Sequence, residues 1–497
     1  MRRIVFGDNL VRLPLLIFLV ILINAGHVLA PKPKRKRMLF SSQVFILIFL
    51  PSALLLWYLP VFPRQMRLFI LLLCSLTFYA FWDPRFLPLL CMTIIFNWLV
   101  SRLYGKYKHQ IWLVCGISVN LLILGFFKYL NFLAENFLGL LGIEYDPIGI
   151  ILPLGISFFT FQQISYLVDL KKGESTYYSL LDYAAYVSFF PQLIAGPIVR
   201  HHQIIHQFLL EPRRAETVAM FSSGLVLLIL GLVKKLFFAD ELGAIADEGF
   251  DQVSSGKLIS FSESWIAALA YTFQLYFDFS AYSDMAIGLG YMFGLRLPQN
   301  FNVPYIALNL SDFWRRWHIT LSNFLRDYVY IPLGGNQGAK VYTCFTVFTT
   351  MFLCGLWHGA AWTFVIWGLF HGIGIILFRA WSATKITMPP IAAWLITFLF
   401  VLSGWVLFRA EDFVVAQTFL SAMVAPNDWG FKKSQLQDIV FVGVLGMMAI
   451  LGPTNEKLAQ SGVIISKGGA ILSAFLLILI SIHAGRPFQP EFIYFQF

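Results

Sequence analysis

The sequence predicts an all-α, polytopic integral membrane protein, and three observations predict it. Hydrophobic residues make up 58% of the 497 and charged residues only 12%, against about 25% charged in an ordinary soluble chain. From Leu39 onward, apolar runs recur at close to the roughly 20 residues that span a bilayer. Lys and Arg gather at the ends of those runs, the pattern that orients membrane helices. A bilayer removes the difficulty of hiding this much apolar surface in one aqueous core, because each helix satisfies its own backbone groups. The net charge of +10 therefore reads as helix orientation, and nucleic-acid binding is not expected.

In chain order, Arg2, Arg3 and Arg12 precede an apolar run from Pro14 to Ala30, and a basic block from Lys32 to Arg37 follows. Charged start, apolar middle and small-residue end resemble a signal peptide, while the basic block prefers the cytoplasm. Residues 1–37 are thus read as a signal-like segment, an anchor, or an extension upstream of a start at Met38. Residues 38–497 read as a single membrane domain with a catalytic core at about 150–380. Candidate spans lie near 43–60, 66–82, 86–104, 111–130, 150–169, 180–197, 217–238, 263–292, 342–357, 360–380, 390–408, 437–452 and 467–484, roughly ten to thirteen in all. Pro153 with Gly155, and Pro191 with Pro197, interrupt two of them. Broken helices are tolerated at membrane depth only when buried or lining a cavity, so re-entrant or interfacial segments and an irregular, hollowed core are expected. The basic stretches at Arg102–His109, Lys171–Lys172, Arg200–Arg214 and Lys234–Lys235 are assigned to the cytoplasm.

The residues that carry chemistry are few. Ser311 to Asp327 lacks Pro and Gly, and Ser311, Arg315, His318, Ser322 and Arg326 would share one face of a single helix. His318 would then lie between two cationic neighbours, which favour its neutral form. The alternative is a surface helix that snorkels its charges. His358 lies in an apolar stretch from Val341 to Phe378, flanked by Gly355 and Gly359 at a spacing that admits a close neighbour. An imidazole at that depth needs a cavity or a partner, or else a backbone carbonyl to bond. His371, 13 residues on, would face away from His358 on one continuous helix. Asp278 and Asp284 interrupt another apolar span. Pairing of one with an Arg of the 311–327 helix is favoured over orienting a His. The five Cys form no CxxC pair, so neither a disulfide framework nor a metal site is expected. There is no phosphate-binding Gly-Lys-Ser/Thr loop and no nucleophile elbow. Pro332 to Gly338 reads as a turn.

The chain resembles the membrane-bound O-acyltransferase family, most of all its bacterial branch that contains the alginate O-acetyltransferase membrane subunit. The resemblance is carried by Leu39–Phe45, Leu152–Phe159, Phe189–Arg200, Gln274–Gly290, Ser311–Gly338 and Gly355–Gly359. It implies a ring of tilted helices around a thin centre, where a cytoplasmic acyl donor meets an extracytoplasmic acceptor. It also implies two functional histidines, His318 and His358. Donor or substrate contacts are expected from Arg315, Trp314, Ser322, Asn323 and Asp284. The donor expected is acetyl-CoA or an acyl carrier derived from it, as substrate and not as a bound cofactor. The partners expected are the lipid bilayer, an extracytoplasmic acetyltransferase and a polysaccharide such as alginate, at a bacterial inner membrane. Peptidoglycan or cellulose acetylation and D-alanyl transfer to teichoic acid are alternatives. A transporter would show paired inverted repeats, and no convincing internal symmetry is seen.

Overall fold

The computed structural model describes residues 38–424, 429, 432–460, 475–480, 482–483, 490 and 492–493, so the segment 1–37 and most of the 467–484 candidate span lie outside the described residues. Every regular element among them is a helix. The first is short, α1 (Phe45–Tyr58). Three long helices follow: α2 (Arg64–Trp82), α3 (Pro84–Tyr107) and α4 (Ile111–Leu140). After α5 (Ile156–Lys172) and α6 (Leu180–Ser188) come α7 (Ala215–Ser254) and the 32-residue α8 (Phe261–Met292). Two seven-residue helices, α9 (Leu310–Arg316) and α10 (Ile319–Leu325), lead to α11 (Lys340–His358), α12 (Trp362–Ala383), α13 (Pro390–Arg409), α14 (Phe413–Val424) and α15 (Lys433–Leu451). The last, α16, is Asn455–Gln460. Among the described residues eight helices are long and apolar enough to cross a membrane. The other expected spans are shorter or interrupted, except α8, whose mid-length polar residues turn inward.

Local chemistry sets these boundaries. Ser260 and Glu263 form a reciprocal capping box at the start of α8, satisfying two amide donors that a helix end leaves bare. Asn309 caps α9 by accepting from Asp312 N at 2.8 Å. The expected helix at 150–169 begins only at Ile156, because Pro153 and Gly155 precede it. Gly155 has φ +70, and a Cβ there would lie 2.5 Å from the Leu193 carbonyl oxygen. The expected span at 180–197 is instead a hairpin. Its turn reaches the middle of α2, where Phe190 N donates to Ser75 Oγ at 3.2 Å, and the chain returns extended to Arg200. Pro191 and Pro197 fit this return, since neither suits a helix interior.

Charge divides the two ends. Arg64, Arg67, Lys106, Lys171, Lys172, Arg213, Arg214, Arg296, Lys340 and Arg379 cluster at one end of the bundle, whereas Asp83, Glu144, Asp146, Asp247, Glu248, Asp251, Glu411 and Asp412 gather at the other. The basic end is the one that the positive-inside rule assigns to the cytoplasm. Two segments enter from it and turn back: the 180–200 hairpin, and the stretch from 297 to 325. The latter climbs far enough for the Tyr305 hydroxyl to donate to Thr272 O of α8 at 2.6 Å.

The core is held by close approach and by buried polar ties. A Cβ on Gly368 would sit 2.3 Å from Met351 O and 3.0 Å from Gly355 Cα, so α11 and α12 touch backbone to backbone, as small residues permit in membranes. Asn97, Asn120 and Gln163 exchange amide hydrogen bonds of 2.7–3.1 Å across α3, α4 and α5. Lys235 bonds Asp240 and Asp278, each at 2.7 Å, and Lys234 bonds Asp284 at 2.6 Å. Asp278 and Asp284 therefore pair with lysines of α7 and not with an arginine of the 311–327 segment. The reason is proximity: α7 lies along α8, with Gly224 against Gly288.

Gly368→Val is expected to destabilise the protein by at least about 1–3 kcal/mol through overpacking. Thermal unfolding in detergent reads this, and an unchanged midpoint would mean that α11 and α12 do not pack this closely.

Candidate active site

His318 sits at a break in the chain. Residues 311–327 do not form one helix: α9 ends at Arg316, and His318 adopts the left-handed conformation, φ 42 and ψ 55. The expected stripe therefore does not exist as one face. Arg315 is exposed and its Nε donates to Ser311 O at 3.1 Å, while the His318 side chain is fully buried. A non-glycine residue in this region of backbone space is uncommon and strained by about 1–3 kcal/mol, so the surroundings must hold it.

Asn300 does this. Its side-chain oxygen lies 3.0 Å from His318 Nδ1 and accepts from Thr320 Oγ1 at 2.8 Å and Thr320 N at 3.2 Å. Its Nδ2 donates to Ser283 Oγ of α8 at 3.1 Å. The backbone around it pairs as a strand would: Ile319 N donates to Asn300 O, and Asn302 N to Arg316 O, both at 2.9 Å. The amides and carbonyls freed by the break are thus satisfied. Since Asn300 Oδ1 accepts, His318 carries its proton on Nδ1 and turns Nε2 toward the aromatic interior. Phe279 and Trp357 pack on the ring, with centroids at 4.7 and 6.1 Å. The arginines expected to flank the ring do not: Arg315 is exposed while the imidazole is enclosed.

His358 ends α11 and is also buried. Its ring touches Trp357, Trp367 and Phe408, with centroids at 4.8, 5.0 and 5.2 Å. Trp357 therefore contacts both imidazoles. Gly355 lies against α12, and Gly359 faces the Phe364 ring, 2.2 Å from where a Cβ would stand. The chain then turns at 359–361 and returns as α12. His371 consequently comes back toward the same aromatic cluster as His358, with Trp367 against both rings (5.0 and 4.8 Å). The expectation that His371 faces away assumed a continuous helix, and the turn removes that assumption.

Two neighbours were not anticipated. Lys128, on a π-turn of α4, donates from Nζ to the carbonyls of Trp357 and His358, the latter at 3.1 Å. Tyr129 donates to Leu356 O at 2.8 Å. An ammonium at the negative end of α11 is electrostatically favourable, and it clamps the backbone that carries His358. Its signal in the sequence was a lone cation in an apolar run. The second is a latch at the basic end. His201 Nε2 lies 3.0 Å from Asp169 Oδ2, the Tyr328 hydroxyl donates to Asp169 at 2.8 Å, and Tyr178 bonds His201 Nδ1 at 3.0 Å. Asp169, His201 and His202 bring ligand atoms within 4.8 Å of one another, as a metal site would. The groups already satisfy one another, and Lys172 and Arg200 stand over the Tyr328 ring at 5.1 and 5.0 Å. This chemistry fits a latch better than a dication site.

The remaining sequence candidates divide. Trp314 is buried near Trp367 and His371 (5.9 and 5.4 Å). Ser322 is half-buried and donates to Trp317 O at 3.4 Å. Asn323 O accepts from Arg200, which also pairs with Asp327 at 2.7 Å. Asp284 belongs to the α7–α8 ion pairs, with Asn455 donating to it at 2.8 Å. The structure thus brings together His318, His358, Trp314 and His371 in one aromatic core, and leaves Arg315 and Asp284 outside it.

Residues 156–411 match the sequence profile of the membrane-bound O-acyltransferase family. The chain is 44% identical to the peptidoglycan O-acetyltransferase of Helicobacter pylori, over 78% of this chain and 80% of that one. It is likewise 44% identical to the probable alginate O-acetylase AlgI of Pseudomonas aeruginosa, over 80% of this chain and 76% of the relative. The teichoic acid D-alanyltransferase of Bacillus subtilis is 26% identical over 65% of this chain and 85% of its own length. The chain belongs to the membrane-bound O-acyltransferase family and is an acyltransferase.

Asn300→Ala should destabilise the fold by about 1–3 kcal/mol, the cost of unsatisfied buried groups, and lower acyl transfer with it. Retained transfer and stability would show that the break is held by other contacts.

Proposed function

We propose that this membrane-bound O-acyltransferase carries an acetyl group from a cytoplasmic donor to hydroxyls of an extracytoplasmic polysaccharide. The observation that carries the reading is that two buried imidazoles, carried by different segments, share one aromatic neighbour. His318 rides on a segment that enters from the basic end, His358 ends a helix running toward the acidic end, and Trp357 touches both. The donor is acetyl-CoA or an acyl carrier derived from it, and arginines and lysines at the basic end suit its phosphates. The names of the relatives support a polysaccharide acceptor.

In the reaction, His358 in its neutral form takes the proton of the acceptor hydroxyl. The hydroxyl oxygen attacks the thioester carbonyl carbon, the carbon–sulfur bond breaks, and the thiolate leaves with the proton that the imidazole returns. His318, fixed by Asn300, orients the donor. Lys128 holds the His358 backbone, so the base does not shift as the helix end moves. An extracytoplasmic acetyltransferase partner receives the group where the final acceptor stands away from the membrane. The enzyme works in the inner membrane of a bacterium. D-alanyl transfer is the second reading, supported by the 26% relative.

Ester-linked acetate on secreted and envelope polymers, measured in cells carrying wild type, His358→Ala or His318→Ala at equal membrane abundance, tests this. Either variant should lose acetylation by about 10²–10⁴-fold, as for a removed general base. Unchanged acetate with lost ester-linked D-alanine would establish the second reading, and no change in either would make the histidines structural.

A further inference from the structure

We propose that His371 and Trp367 form a hydrogen-bonding socket inside the helical core, and that this socket takes the carbonyl oxygen of the acyl group during transfer. The proposal rests on the acyltransferase reading above and adds to it two residues that hold the reacting group.

Trp367 and His371 lie four residues apart on α12, so they share one face of it. Both are fully buried. Among the described residues, neither ring nitrogen of His371 has a hydrogen-bond partner, and neither does Trp367 Nε1. The two groups meet at Gly404 of α13, where a Cβ would stand 3.0 Å from His371 Nε2 and 3.5 Å from Trp367 Nε1. Two unpartnered nitrogens thus converge on one spot, near enough for a single oxygen atom to approach both. Trp314 of α9, whose Nε1 also lacks a partner, packs edge-on against His371 at 5.4 Å. The Trp367 ring joins this spot to the base, since it packs on His358 at 5.0 Å and on His371 at 4.8 Å.

A histidine that serves packing alone bonds a neighbouring carbonyl, amide or hydroxyl, as buried polar groups do. One without a partner costs folding free energy, and a phenylalanine of similar shape would avoid that cost. A bound oxygen offsets it. The chemistry of the socket selects the kind of oxygen. An indole N–H only donates, and a neutral imidazole donates from one of its nitrogens. With its proton on Nε2, His371 becomes a second donor beside Trp367. Two donors aimed at one atom suit a carbonyl oxygen, and suit it better as charge builds there. When the acceptor's hydroxyl oxygen bonds the carbonyl carbon, the second electron pair of the carbonyl moves onto its oxygen. The pair returns as the carbon–sulfur bond breaks, and the thiolate leaves with the proton that His358 returns. Fixed donors in an apolar interior stabilise that charge without having to reorient.

Two substitutions test this: His371→Phe removes a donor, and Gly404→Ala puts a methyl group where the nitrogens converge. Ester-linked acetate on the cell's own polymers is measured at equal membrane abundance, and thermal unfolding of each purified protein is followed in detergent. His371→Phe should unfold at or above the wild-type midpoint while acetate falls by about 10²–10³-fold, as when one donor to a developing oxyanion is lost. Gly404→Ala should lower acetate as well. A fall of less than about tenfold in His371→Phe would mean that the nitrogens hold nothing the reaction uses, a resident water at most, and would overturn the proposal. A lowered midpoint in His371→Phe would overturn it too, because the imidazole would then be satisfied within the protein. So would wild-type acetate in Gly404→Ala, which would place the oxygen elsewhere. The acyltransferase reading is judged separately, by whether His358→Ala abolishes acetate on the same polymers.

Discussion

A backbone that stops being helical inside a membrane must still satisfy every amide and carbonyl it frees, and in this protein Asn300 meets that constraint. Its side chain bonds His318 and Thr320, its carbonyl accepts from Ile319, and its amide group reaches Ser283 of α8. The left-handed turn at His318 exists because these bonds outweigh its strain. Without that turn the 311–327 segment would run as one helix and its histidine would face whichever way the helix did. With it, the imidazole is aimed into an aromatic interior while Arg315 stays exposed.

The rest of the architecture brings two such points together. Glycine contacts let α11 and α12 touch and return His371 to the aromatic cluster of His358. The ammonium of Lys128 fixes the end of α11, and the α7–α8 ion pairs secure the long helix on which Asn300 leans. Several ionisable groups at membrane depth are therefore structural, even though such residues are read as functional by default. What separates them from the histidines is surroundings: the lysine–aspartate pairs answer each other, whereas the His318 and His358 rings are packed mainly by aromatic side chains.

Much of this was legible in the sequence. Composition and run length point to a helical membrane protein, and Pro153, Gly155, Pro191 and Pro197 mark where helices fail. His318 stands out in a polar stripe and His358 as an imidazole in an apolar stretch. Two of the errors share a cause, since each reasoned along one continuous helix where the chain breaks, at His318 and at Gly359. The polar stripe through Arg315, His318 and Ser322 dissolves at a left-handed histidine, and the separation of His358 from His371 dissolves at a turn flanked by alanines. Partners distant in sequence were equally invisible: Asn300 and Lys128 act on residues 18 and 230 positions away, and Asp278 and Asp284 found lysines where arginines were expected. Spacing rules describe one element at a time, and this site is assembled from many.

The central claim is that the buried imidazoles bracket the reacting carbonyl. A structure of the protein with a non-hydrolysable thioether analogue of the acetyl donor tests it most directly. The account predicts that the donor's phosphates lie at the basic end and that its acetyl carbon reaches the Trp357 neighbourhood, with the attacking position about 3–3.5 Å from the base-held hydroxyl, as a reactive pose demands. A donor whose acetyl group stops at the cytoplasmic rim, or lies outside the helices against lipid with both imidazoles untouched, would contradict it.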